Sequence, residues 1–408
     1  MKKSVKISLK RILPPIIFLI FVYFCTGCAA FPAIGKAQTE TTTGMEEEKS
    51  LGLLLWGSYD DINENEGGWL ISGCDAFAAL HPSWKIKFSF AVCEPDDAAD
   101  MVTEDVSAAA DVYSFSDSQL ERLVNGGALQ PFSQDMRERA SEICSQDMLD
   151  AVTFNGQLYG IPYTTSALVM YYDSSVFDAG DIDDLDKMMG IGCVSFKMSD
   201  PDIIAAFFTA FGAAKKNGNG KYYFDFSSSQ ASDAAKYLIT VSRNACFMND
   251  NDGTGFAGLR DGSVKAIFSD ASYVDVARQA LGDNFAAAAL PGIKTFSSVE
   301  AMGINPDCTD VMAAWELLLY LSSDKEQEEH YNINSTVPSN KTLLADGNLK
   351  SDVLVIAQNE AFENSSVLFS DYDISSLELE RLSKFGEGIA AGTINESNYE
   401  DELKKLEN

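Results

Sequence analysis

Histidine is nearly missing from this 408-residue chain: His81 and His330 are the whole complement. Only two histidines leave little room for a histidine-built metal centre or for His-dependent catalysis. Basic residues are scarce as well, with 30 Lys and Arg against 61 Asp and Glu and a formal net charge of −31. Five of the basic ones (Lys2, Lys3, Lys6, Lys10 and Arg11) fall in the first eleven positions, which leaves 25 against 61 for the remainder. Such a body repels phosphate backbones, excluding nucleic acid as a partner, and it disfavours anionic ligands. The sequence contains no GxxxxGK[ST], GxSxG or HExxH pattern. The acidic stretch NDNDGTG at 249–255 fails as a calcium loop, because its register puts Met248 and Leu259 where the first and last ligands belong. No cofactor or metal is expected.

What is present is a hydrophobic fraction of 46% and an aromatic fraction of 11%, enough for a folded body with a sizeable core. The basic residues 1–11 precede an apolar run over 12–24, interrupted by Pro14 and Pro15. A membrane-spanning helix needs about 20 apolar residues, so this run reads as a signal-peptide core. Cys25-Thr26-Gly27-Cys28 follows and resembles the lipobox of bacterial lipoproteins, although Cys25 stands where an aliphatic residue is usual. That resemblance implies cleavage before Cys28 and a lipid anchor on its thiol. Residues 29–50, rich in Thr, Ala, Glu and Gly, read as a flexible tether. The other six cysteines (Cys74, Cys93, Cys144, Cys193, Cys246, Cys308) show no metal-ligand spacing and are expected to be buried free thiols.

Beyond the tether the pattern alternates. LGLLLW at 51–56 is a buried strand, KIKFSF at 85–90 alternates strictly as a second, and ADVY at 110–113 is a third, with helical spacing between them. The unit is βαβαβ, hence a parallel sheet. From about Ser166 the pattern restarts, with strands at 168–172, 222–226 and 264–268 and helices at 203–214, 232–244, 274–281 and 312–321. The tail at 377–406 reads as an amphipathic helix broken at Gly386 and Gly392. Two α/β lobes account for this better than one oversized sheet.

Four segments carry a resemblance. ADVYSFSDSQLERLVNGGALQPF at 110–132, AVTFNGQLYGIPYTTSALVMYYDSSVF at 151–177, GSVKAIFSDASY through FAAAALPG at 262–292, and MGINPDCTDVMAAWELLLYLSSDKEQE at 302–328 with VPSN at 337–340 keep one order and spacing. Together they resemble the bacterial extracellular solute-binding proteins of the maltose and oligosaccharide cluster. The resemblance implies a two-lobe periplasmic-binding-protein-like fold with the ligand cleft between lobes joined by crossover strands. The implied division is a signal peptide over 1–27, lipidated Cys28 and tether over 28–50, a first lobe over 51–165, a second over 166–293, a return to the first over 294–340, and C-terminal helices, mainly of the second lobe, over 341–408.

The implied function is a lipid-anchored, non-enzymatic subunit on the extracytoplasmic face of the cell membrane. As a monomer it captures a sugar, malto-oligosaccharide-like, by hinge closure and delivers it to ABC permease subunits. The open alternatives are another neutral or cationic solute, a surface sensor on the same fold, and a secreted glycoside hydrolase working with two carboxylates. A sugar site needs aromatic faces for the pyranose surface and carboxylates or amides for its hydroxyls. At or beside expected strand ends the candidates are Trp56, Asp60, Phe115, Asp117 (equally a helix N-cap), Tyr163, Asp200 and Tyr273, with Tyr372 from the tail. Ser166 lies where close maltose binders place an acid, and 367–379 offers Phe369 and Tyr372 but no tryptophan.

Overall fold

Two sheets organise the chain in a computed structural model that describes residues 49–63, 68–346, 348–362, 367–372 and 374–407. Cys28 and the expected signal peptide lie outside the described residues. The first strand starts at Lys49, inside the stretch read as tether.

In the first sheet Trp84–Val92, Lys49–Gly57 and Val112–Ser116 run parallel. Phe296–Ile304 then pairs antiparallel with Val112–Ser116, Gly160–Ala167 pairs antiparallel with Phe296–Ile304, and Val337–Pro338 closes the edge. The strand at 84–92 sits at the other edge, where Lys85, Lys87 and Ser89 project outward, a composition that discourages further strand pairing. Trp69, Phe77, Tyr113, Phe115 and Trp315 fill the core on this sheet.

The second sheet has the order Phe247–Asn249, Val194–Phe196, Ala266–Ser269, Val169–Asp173, Phe285–Ala288, its first three strands parallel. Both faces are covered, as alternation along Val169–Asp173 shows. Val169 and Tyr171 join a core with Phe256, Val274 and Leu354, while Met170 joins one with Phe196, Phe207, Phe208 and Phe385. The chain therefore passes between sheets after Ala167 and again before Phe296. A buried amide clamps the first crossing: Gln358 accepts from the Ala167 N–H at 2.9 Å and donates to the Ala167 carbonyl at 2.8 Å.

Three local expectations change. The third strand is Val112–Ser116, two residues later than read, because Val112 to Ser116 are all buried. The tail helix Ser376–Ala390 passes through Gly386 unbroken and stops before Gly392, which has φ 74°. Gly386 serves close packing, since a Cβ there would lie 1.8 Å from the Met198 carbonyl oxygen. Third, all six described cysteines are free thiols, yet Cys193 and Cys246 are only half-buried. No described helix is long and apolar enough to cross a membrane.

Candidate ligand-binding cleft

Parallel strands point their carboxyl ends, and the loops that follow, at one place in each sheet, and open α/β sheets bind ligands there. In the first lobe these loops carry Ser58 to Asp61 after the first strand, Glu94 to Asp97 after the second and Asp117 after the third. In the second lobe they carry Asp200, Asp250 and Asp270 after Val194–Phe196, Phe247–Asn249 and Ala266–Ser269.

Behind the first group lies a buried polar network. Asp61, 2% exposed, accepts from His330 Nε2 and Asn334 Nδ2, both at 2.8 Å, and from the Tyr163 hydroxyl at 3.4 Å. The same hydroxyl donates to Glu300 Oε2 at 2.9 Å, and Trp69 stacks on Tyr163 with ring centroids 5.8 Å apart. Ser58, Asp60, Glu94, Glu300 and Thr336 complete a cavity of about 150 Å³ over this network. Burial, reinforced by the charges of Asp61, Asp96 and Glu94, pushes the Glu300 carboxyl up to about 7.

The second lobe answers with more carboxylates. Asp200 caps helix Pro201–Ala210, accepting from the Asp202 and Ile203 N–H groups at 2.9 and 3.4 Å, and burial raises its pKa. Asp202 is pushed up to about 7 by burial, then by Asp200, and also by Asp96 of the opposite lobe, so the two acidic rims face each other. Asp117 is pushed up to about 6, chiefly by burial and also by Asp96, while hydrogen bonding from Val299 and Ser370 lowers it.

A larger cavity, about 870 Å³, opens between the lobes on the side of helix Leu120–Asn125. Asp117, Ser297, Tyr222 and Tyr372 line it, and an exposed ion pair, Glu121 to Lys221 at 3.0 Å, bridges the lobes there.

The eight residues expected to meet ligand therefore separate. Asp60 is exposed and lines the small cavity. Tyr273 is 45% exposed beside the second-lobe rim, stacked on Phe256 with centroids 5.2 Å apart, and offers a free aromatic face. Asp200 stands at the same rim but is committed to capping. Trp56 is half-buried against the first core. Asp117 lines the larger cavity and is not an N-cap: Ser116 caps that turn, and Asp117 accepts from the Val299 N–H at 3.0 Å, pinning the returning crossover strand. Tyr372 also borders the larger cavity but is 5% exposed, stacked on Tyr222 and bonded to Thr209 at 3.0 Å. Phe115, wholly buried against Gly160 and Gly303, is a core residue, and Tyr163 acts from beneath the cleft as the link between Asp61 and Glu300.

Glu94 and Asp96 come four and six residues after KIKFSF, as Asp60 comes four after Trp56, so the strand-end rule that selected Asp60 reaches them too. Asp61 adjoins Asp60. Glu300, His330 and Asn334 carry no local signal, since only the return of the chain to the first sheet brings them to Asp61.

Two α/β lobes, joined by crossover strands and meeting at the carboxyl ends of their parallel strands, define a hinged ligand-binding protein. The chain belongs to the bacterial extracellular solute-binding protein family, whose model matches residues 74–357. A solved structure described as "with acarbose" is similar at 31% identity and a TM-score of 0.77, over 88% of this chain and 97% of that one. The maltodextrin-binding protein MalE1 from L. casei BL23, solved without ligand, shares 20% identity with a TM-score of 0.75 over 88% and 98% of the two chains. A cyclo/maltodextrin-binding protein complexed with maltotetraose shares 18% with a TM-score of 0.71 over 90% and 97%. The last two likenesses concern the fold alone. No curated protein matches the sequence.

Proposed function

We propose that this chain captures a sugar, malto-oligosaccharide-like, between its lobes and delivers it to ABC permease subunits, held at the membrane by a lipid on Cys28. Asp60 and the paired acidic rims accept hydroxyl hydrogen bonds, and Tyr273 supplies a platform for a pyranose face. The observation that supports this reading is that these groups follow the carboxyl ends of parallel strands in each lobe, in a fold that matches a structure described as "with acarbose" at 31% identity. Capture needs no chemistry: closure is driven by contacts that both lobes make with one ligand.

The carboxylates facing each other across the cleft favour a second reading within the same class, a saccharide bearing a basic nitrogen. After burial and Asp200, Asp96 of the first lobe also raises Asp202 of the second, and a bound cation relieves such like-charge repulsion.

A thermal-shift panel tests both readings, using maltose, maltotriose, maltotetraose, acarbose, β-linked oligosaccharides and spermidine. Ligand at 100 times its Kd adds about 2.7 kcal/mol, which raises Tm by roughly 2 °C or more in a chain of this size. A shift with the α-linked series and no product formed is expected, and a larger one with acarbose than with maltotetraose would support the basic-nitrogen reading. A response confined to spermidine or β-linked sugars would overturn the cargo, and cleavage of any sugar would overturn the binding role.

A further inference from the structure

We infer that Cys193 and Cys246 are a disulfide-forming pair that staples the base of the second lobe. Each immediately precedes one of two neighbouring parallel strands, Val194–Phe196 and Phe247–Asn249, and the register places Val194 opposite Phe247. Carried back one residue, that register sets Cys193 beside Cys246, and the Val194 N–H donates to the Cys246 carbonyl at 2.9 Å. Paired residues on neighbouring strands point to one face, and strands lie about 4.8 Å apart, within the roughly 4.4–6.8 Å that native disulfides span between Cα atoms.

Both backbones are fixed before any bond forms. The Cys246 N–H donates to Asn244 Oδ1 at 2.8 Å, and the Cys193 carbonyl accepts from the Lys265 N–H at 2.7 Å. Burial and then the facing Cys246 thiol raise the Cys193 pKa, so the two sulfurs already interact. The other four described cysteines are buried, whereas these two are half-exposed and open to a soluble oxidant.

The family is extracellular, and extracytoplasmic proteins meet disulfide-forming conditions. The oxidant is a disulfide, either a small molecule or the active-site disulfide of an oxidoreductase. One thiolate attacks it, releasing a first thiol and leaving a mixed disulfide. The second thiolate displaces the remaining half, so two protein thiols become one S–S bond. The oxidant leaves as two thiols carrying both electrons and both protons. The bond closes a loop containing helices Pro201–Ala210 and Ser229–Ser242. It lies at the amino ends of the strands, away from the rim that carries Asp200 and Asp270, so sugar capture does not depend on it.

The test is peptide mapping of the full chain, solubilised in detergent, after incubation with oxidised glutathione at pH 8 and alkylation under denaturing conditions without reduction. The peptides carrying Cys193 and Cys246 are expected joined within one chain, lighter by two hydrogens, with the four buried cysteines alkylated. Oxidation is expected to raise Tm on the order of 5 °C. Cys193→Ser is expected to lose that rise and to hold glutathione on Cys246. Alkylation of both residues after the treatment, or a bond from either to a buried cysteine or to a second chain, would overturn the inference.

Discussion

Glu300 stands on the strand that brings the chain back to the first lobe, and one of its oxygens is already committed to Tyr163 at 2.9 Å. Its carboxyl, pushed up to about 7 by burial and by Asp61, lies well above the value of about 4.3 in an unfolded chain. Between those two values the folded state holds a proton that the unfolded state has released. The stability linked to this group is therefore greatest below about pH 4 and is lost as pH rises through 7. Asp202, also raised to about 7, contributes with the same sign. The Tm of the ligand-free protein is expected to fall from pH 5 to pH 8, and to fall less steeply in Glu300→Gln. Equal slopes in scanning calorimetry would remove Glu300 from the explanation. Neither Glu300, bonded to Tyr163, nor His330, bonded to Asp61, could be picked out from sequence, because buried polar contacts between residues more than a hundred apart leave no periodicity and no spacing.

At the scale of elements, glycine gives the cleanest contrast. Within helix Ser376–Ala390, Gly386 touches the Met198 carbonyl so closely that an added Cβ would lie 1.8 Å from it. Gly190, in helix Leu185–Ile191, has nothing within 4 Å of the same position. Gly386→Ala is expected to cost about 1–3 kcal/mol through overpacking, and Gly190→Ala to stabilise by about 0.5–1 kcal/mol through helix propensity. Urea denaturation separates the two, and destabilisation by both would mean that propensity does not govern the exposed site. The same pair shows what the sequence conveys about elements. Strands such as KIKFSF and helices such as 274–281 are visible because one face is apolar, and the structure has helix Val274–Leu281. Gly386 misleads because a helix breaker and a helix-packing glycine look alike until the neighbouring chain is in place. Phe115 misleads similarly: strand-end position suggested contact with ligand, but the strand continues to Ser116 and turns the ring into the core.

For the whole molecule, the question is whether the lobes can move. Their described ion pair at the larger cavity, Glu121 to Lys221, is exposed on both sides, and such pairs are worth about 0–1 kcal/mol. That is too little to lock the hinge. The firm attachments are at the crossover itself, where Gln358 clamps Ala167 and Asp117 holds Val299, so bending is directed to that region. Across the cleft, Asp96 of the first lobe adds to burial and Asp200 in raising the Asp202 carboxyl of the second, so like charges meet there. Small-angle X-ray scattering with and without maltotetraose measures this motion directly. A smaller radius of gyration is expected at saturation, with the thermal shift reporting occupancy in the same samples. An unchanged radius of gyration in a sample whose Tm shows it to be saturated would contradict capture by closure of the lobes.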